Sequence, residues 1–131
     1  LPFAASTPAE LRAVVPSALS GCDGLLVMPD GMFWNNRTTI LGIASMARVP
    51  AIYPEREYAD DGGLIAYGPN VPAHFRLAAG YVDRILHGAN PGDLPINATS
   101  QFDFVINLRT AHALGLALSP DFVSAANEVI E

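Results

Sequence analysis

The chain has 131 residues, half of them hydrophobic and 15% charged, which suits one compact domain or one lobe of a larger protein and excludes intrinsic disorder. Its formal net charge of −6, from 13 acidic against 7 basic residues, argues against the basic patches that hold nucleic acid or anionic membrane. No apolar run approaches the ~20 residues of a membrane span, no basic-then-apolar leader stands at Leu1, and the single Cys22 cannot form an internal disulfide.

In chain order, Leu1–Ser6 reads as an arriving linker. Thr7-Pro8-Ala9-Glu10 pairs a capping Thr with Pro at the first helical position and Glu at the third, a helix start. Leu11, Val14, Val15, Ala18 and Leu19 form its apolar stripe, and Pro16 is expected to kink or restart it. Leu25–Met28 is the first strand. A second helix is expected from about Asn36 to Arg48, with Ile40, Ile43, Ala44 and Ala47 inward. Ala51-Ile52-Tyr53 is a short strand, Pro54–Asp61 one or two irregular helical turns, and Leu64–Tyr67 a third strand. The clearest helix starts near Val71. Its stripe is Phe75, Ala78, Ala79, Val82, Ile85 and Leu86, with Gly88 at the C-cap. Asn90–Ser100 is a Pro- and Gly-bearing connection, Phe102–Ile106 a fourth strand, Asn107 the cap of a helix ending at Gly115, and Ser119-Pro120 the start of a last helix. Strands alternating with helices imply right-handed crossovers and an α/β fold with a mainly parallel sheet flanked by helices.

In such a sheet, ligands bind outside the carboxyl ends of the strands. Three strands end in loops suited to that role: Pro29-Asp30-Gly31, Tyr53-Pro54-Glu55-Arg56 and Tyr67-Gly68-Pro69-Asn70. Parallel strands would bring the three to one edge, combining phenols, carboxylates and an amide as a small-molecule cleft does. Phe33 and Trp34 could roof the same space. Each residue also has a plainer reading. Asp30-Gly31 is a common turn in which Asp bonds its own backbone, Tyr53 and Tyr67 suit a core edge, and Arg56 between Glu55 and Glu57 suits a solvated charge cluster.

No catalytic set, metal set or cofactor site is read from the sequence. His74, His87 and His112 lack ligand spacing, Asp60-Asp61-Gly62-Gly63 lacks the alternating oxygens of a calcium loop, and no glycine-rich phosphate loop or nucleophile elbow occurs. The Asn97-Ala98-Thr99 sequon has meaning only in a secreted eukaryotic protein.

The stretches GLLVMPD, RVPAIYPEREYADDGGLIAYGPN, AAGYVDRILHGANPGDLPI and FDFVINLRTAHALGLALSP, in that order from about Cys22 to Glu131, resemble the C-terminal half of ABC transporter substrate-binding proteins. The subfamily is the bacterial one related to aromatic amino acid uptake. The resemblance implies one lobe of a type I periplasmic-binding fold, whose two α/β lobes are joined by three crossovers and close on a ligand. It implies a periplasmic or otherwise extracytoplasmic, membrane-associated setting, a permease as partner, and a missing N-terminal lobe. By the same resemblance Asp30, Tyr53, Tyr67 and Asn70 are ligand contacts and Phe33 a wall, with the acidic group and the phenols meeting an ammonium. The helix near Val71, within residues 70–100, follows a crossover and is expected to partner the missing lobe. A single lobe would leave its aromatic edge open, so weak binding and self-association of this piece are expected. The alternative is a flavodoxin-like signalling or enzymatic domain using the same strand-end edge.

Overall fold

A computed structural model describes residues 2–97 and 101–131. Thr99 of the sequon, the Ser100 end of the connection and the first residue of the linker lie outside them. The chain divides into two compact units, one formed by the chain up to Gly68 together with Asp103–Glu131, the other by Pro69–Phe102.

In the first unit, helix α1 spans Pro8–Ala18. Thr7 caps it by accepting from the Glu10 amide at 3.2 Å, and Glu10 reaches back to the Ser6 amide at 2.8 Å. Contrary to expectation, Pro16 does not interrupt α1. Pro16 and Arg12 both face solvent, so the Arg12 carbonyl that loses its donor is free to meet water, while Leu11, Val15 and Leu19 stay buried one turn apart. Strand β1 is only Leu25–Leu26, shorter than its apolar run. The five-residue helix α2, Gly31–Asn35, follows, and α3 runs over Arg37–Ala47. Ile40, Ile43 and Ala44 of α3 are buried as expected, but Ala47 is exposed. Strand β2 is Ala51–Tyr53, α4 Arg56–Asp60 and β3 Ile65–Pro69. Strand β4 is Phe102–Asn107, helix α6 Leu108–Leu114 capped by Asn107, α7 Pro120–Ser124 and β5 Glu128–Ile130. The sequence pattern missed α2 and β5, each too short to show a period.

The five strands form one sheet in the order β1-β2-β3-β4-β5. Strands β1, β2 and β3 run parallel, as do β4 and β5. Between β3 and β4 the direction reverses. The Asn107 amide donates to the Leu64 carbonyl and the Asn70 amide to the Gln101 carbonyl, so the partner number falls as the chain number rises. Helix α6 therefore starts at the opposite end of the sheet from the loops after β1 and β2, whereas the start of β5 lies at their end. One face of the sheet packs Ala51 and Tyr53 against α1 and α3, with Leu11, Val15, Ile40, Ile43 and Tyr58 in the same core. On the other face Ile65 and Ile106 pack against Leu108, Leu114, Leu116 and Leu118.

The second unit contains α5, Val71–Leu86, and a 3-10 turn at Pro91–Asp93. Asn70 caps α5 by accepting from the Ala73 amide at 2.8 Å, and Gly88 takes a left-handed conformation past its end, at φ +97°. Tyr81 ties the helix to the connection by donating its hydroxyl to the Pro95 carbonyl at 2.5 Å. No residue of α5 is buried: Phe75 is 72% and Leu86 80% exposed. The apolar stripe exists, and among the described residues no packed core covers it.

Candidate functional site

The parallel run of β1, β2 and β3 sets their carboxyl ends along one edge. After β1 the chain must turn into α2 with its first amides unpaired. Asp30, in extended backbone, resolves this by placing Oδ1 at 2.8 Å from the Met32 amide and 3.1 Å from the Phe33 amide. The plainer turn reading and the ligand reading are thus compatible. Oδ1 serves the backbone, while Oδ2 has no partner among the described residues and the side chain is exposed.

Helix α2 folds Phe33 and Trp34 back onto the first core, half-buried. Trp34 meets Tyr58 edge to face, with ring centroids 6.2 Å apart. The Arg37 guanidinium lies 5.0 Å from the Trp34 ring centroid and is held by a 2.7 Å bond from its Nε to Asp61. Burial pushes the Tyr58 hydroxyl up to about 12; Glu55 and Asp30 add to the rise and Arg37 opposes it. Glu55, itself raised by partial burial and then by Glu57, sits at the same edge. Asp30, Trp34, Arg37, Glu55 and Tyr58 therefore form one electrostatic and aromatic neighbourhood. Tyr58 was not anticipated, because a tyrosine within a five-residue helix carries no periodic signal.

Tyr53 lies behind this neighbourhood. Like Tyr58 it is buried in the first core; the two rings stack at 4.9 Å, and the Tyr53 ring lies so close to Gly63 that a β-carbon there would sit 2.8 Å away. Burial, then the neighbouring Tyr58, raises its hydroxyl pKa. In this structure Tyr53 is a core residue that backs Tyr58. Tyr67 is exposed on β3, its ring edge-on to Phe104 at 5.9 Å. Asn70 belongs to the second unit, where its side chain serves as the cap of α5.

The strand-end loops are drawn tightly together. A β-carbon on Gly68 would lie 1.7 Å from the Pro54 carbonyl oxygen, so only glycine lets β3 pass the end of β2 at this distance. Arg56, expected as a solvated charge, is instead a strut between α4 and β5. It forks onto both carboxylate oxygens of Glu128, with Nη2 to Oε1 at 2.6 Å, and approaches Asp60 at 3.3 Å. The bond from Arg56 holds the Glu128 carboxyl below the usual range. The sequence signal for it was absent, since the partners are 72 residues apart. Among the described residues no group of three or more His, Cys, Asp or Glu could hold a metal, and no helix is long and apolar enough to cross a membrane. What the edge offers is an open carboxylate oxygen, aromatic rings and hydrogen-bonding groups, which can recognise a small polar or aromatic solute.

A curated relative, the tyrosine-binding protein of Clostridioides difficile (strain R20291), is 23% identical over 111 residues, spanning 85% of this chain and 32% of that protein. Among solved structures, an ABC domain from Streptococcus pneumonia in complex with L-Trp has a TM-score of 0.89 at 23% identity, covering 98% of this chain and 43% of that one. A conserved domain protein from Vibrio cholerae O1 biovar El Tor scores 0.86 at 22% identity, covering 95% and 42%. A ligand-free, open substrate-binding protein with adhesive properties from Clostridium difficile scores 0.70 at 20% identity, covering 100% and 43%. The chain thus spans under half the length of each of these relatives. The family described as ABC transporter substrate binding protein matches residues 1–130, and the chain belongs to that family.

Proposed function

We propose that the chain is the ligand-holding C-terminal lobe of an extracytoplasmic substrate-binding protein, which carries an amino-acid-like solute to an ABC permease. The observation that carries this reading is Asp30. Its Oδ1 is locked by the Met32 and Phe33 amides at the carboxyl end of β1 in a run of parallel strands, while Oδ2 has no partner among the described residues and the carboxylate's charge reaches Tyr58, which meets Trp34. A carboxylate fixed in this way meets an ammonium without first losing rotamer freedom. Phe33 is assigned as a wall for the apolar part of the solute. Tyr67 and Asn70 are hydrogen-bonding contacts on the strand and loop that follow, and Tyr53 acts through Tyr58. The names of two relatives, one a tyrosine-binding protein and one crystallised with L-Trp, support an aromatic amino acid as the solute class. The family match leaves no observation in favour of the flavodoxin-like alternative.

In this reading the second wall of the cleft comes from an N-terminal lobe, and the bare stripe of α5, with residues 70–100, partners that lobe. The 131 residues alone then bind feebly, because an open shelf leaves each polar contact competing with water. Calorimetry on the full-length protein with aromatic and branched-chain amino acids tests the assignment. A charge-assisted bond is worth about 1.5–3 kcal/mol, so Asp30→Ala should weaken binding roughly tenfold to a hundredfold. Unchanged affinity would remove Asp30 from the site.

A further inference from the structure

Arg37 opens helix α3 seven residues after Asp30, and Trp34 stands between them. The Asp30 carbonyl accepts from the Trp34 amide at 2.9 Å and the Asn36 carbonyl from the Ile40 amide at 3.2 Å, so the three side chains leave the chain at helical spacing. The Arg37 guanidinium is held from two sides. Its Nε donates to Asp61 at 2.7 Å, and its central carbon lies 5.0 Å from the Trp34 ring centroid. Asp61 is placed by a loop with little freedom. There the Gly62 carbonyl accepts from the Thr110 hydroxyl at 2.8 Å, and the Gly63 amide donates to the Tyr58 carbonyl at 2.7 Å. The two η nitrogens of Arg37 have no hydrogen-bond partner among the described residues, and the side chain is 32% exposed.

An open guanidinium edge suits a carboxylate, because it presents parallel N–H donors, and a fork whose plane is already fixed loses little freedom on binding. Asp30 offers the opposite charge in a matching state, with one oxygen fixed by amides and the other open. We infer that Arg37 receives the carboxylate of the solute while Asp30 receives its ammonium, so that this one lobe recognises both charges of an α-amino acid. The inference rests on the proposed function and narrows its solute class to zwitterions.

The dimensions agree. Seven residues at helical rise separate Asp30 from Arg37 by roughly 10 Å along the axis. An ammonium and a carboxylate on one carbon, with a charge-assisted hydrogen bond of about 2.8 Å at each end, span roughly 8–9 Å. The charges of Asp30 and Arg37 both reach the Tyr58 hydroxyl, with opposite effect, which gathers them around the Trp34–Tyr58 pair. A solute carrying only a cation would leave the η edge of Arg37 desolvated and unpaired, and one carrying only an anion would do the same to Asp30. Unpaired charge of this kind is what a polar site discriminates against.

Calorimetry on the full-length protein with matched probes tests this. The probes are L-tyrosine and L-tryptophan, their amines tyramine and tryptamine, which lack the carboxylate, and the corresponding arylpropionates, which lack the ammonium. The parent should prefer the amino acid over its amine by at least about tenfold, and over its arylpropionate likewise. Arg37→Gln should weaken the amino acid roughly tenfold to a hundredfold and leave the amine within about twofold, so that the preference collapses. Arg37→Lys, which keeps the charge without the fork, should recover part of the loss. Arg12→Gln, on the exposed side of α1, should change nothing. A preference that survives in Arg37→Gln overturns the inference, since the carboxylate is then held elsewhere. So does an equal loss for amino acid and amine, which would make Arg37 only a strut between α3 and Asp61. If Arg37→Gln does not fold, the parent decides: an amine bound as tightly as its amino acid overturns the inference, and a preference that shrinks in Arg37→Lys supports it. A parent that binds neither amino acid defeats the proposed function and this inference with it, whereas amino acid binding with an unmoved preference defeats the inference alone.

Discussion

Helices α1 and α5 are both amphipathic, both begin with a capping side chain and a proline, and both carry apolar residues at helical spacing. Yet Leu11, Val15 and Leu19 are buried in the core of the first unit, whereas Phe75, Val82 and Leu86 of α5 are exposed. Periodicity locates a helix and its adhesive stripe. It says nothing of which surface meets that stripe, because that surface is built by other parts of the chain. Helix α1 has the sheet and α3; the stripe of α5 has no cover among the described residues.

The sharpest way to break this contrast is truncation on both sides of it. Leu11→Ala should cost about 2–5 kcal/mol in denaturant unfolding of the 131-residue chain, through lost transfer energy and a residual cavity. Phe75→Ala should change it by no more than about 0.5 kcal/mol, as for an exposed site. A large loss at Phe75 would mean that the stripe of α5 is buried in solution. A step down in size, Gly68→Ala forces a β-carbon into the Pro54 carbonyl oxygen and should cost about 1–3 kcal/mol. A variant as stable as the parent would show that the β2 and β3 ends are less tightly joined than described.

Asp30 separates capping from recognition. Asp30→Ala removes the cap of α2 and should destabilise the chain by about 0.5–2 kcal/mol. Asp30→Asn keeps an oxygen for the Met32 and Phe33 amides and should restore stability, while remaining weak for solute in the full-length protein. Equal binding by Asp30→Asn and the parent would point away from charge recognition.

The smallest effect belongs to the Arg56–Glu128 strut. Its folded-state carboxyl pKa is depressed by Arg56, so its contribution is full above the ordinary glutamate value near 4.3 and is lost as pH falls through the lower folded value. Both side chains are partly exposed, so Glu128→Gln should cost no more than about 1 kcal/mol at neutral pH. The variant and the parent should converge in stability at acid pH. A gap that persists unchanged at pH 2 would assign the effect to packing rather than charge.

The strand ends that carry the candidate site are legible in the sequence. Ala51–Tyr53 matches the expected strand to the residue, and the loop after β1 becomes a ligand-edge candidate through its convergence with the loops after Tyr53 and Tyr67, not through Asp30 alone. Helix α2 and strand β5, of five and three residues, escaped because neither displays a period. Tyr53 and Tyr58 look alike in sequence. Both rings are buried in the first core, yet the Tyr53 ring points from β2 toward Gly63 while Tyr58, on α4, meets Trp34. Arg56 and Glu128 became partners only when β5 was laid beside β4.

Local chemistry in the sequence determined where helices begin and end: Thr7, Asn70, Asn107 and Ser119 each satisfy amides within three residues, a decision needing no distant part of the chain. It likewise determined the family, through several motifs in a set order. Only the tertiary structure decided that β4 runs against β3, that Tyr53 is core, and that α5 lies bare. Each of these depends on which surfaces meet, and burial is the free energy of an encounter rather than a property of one segment.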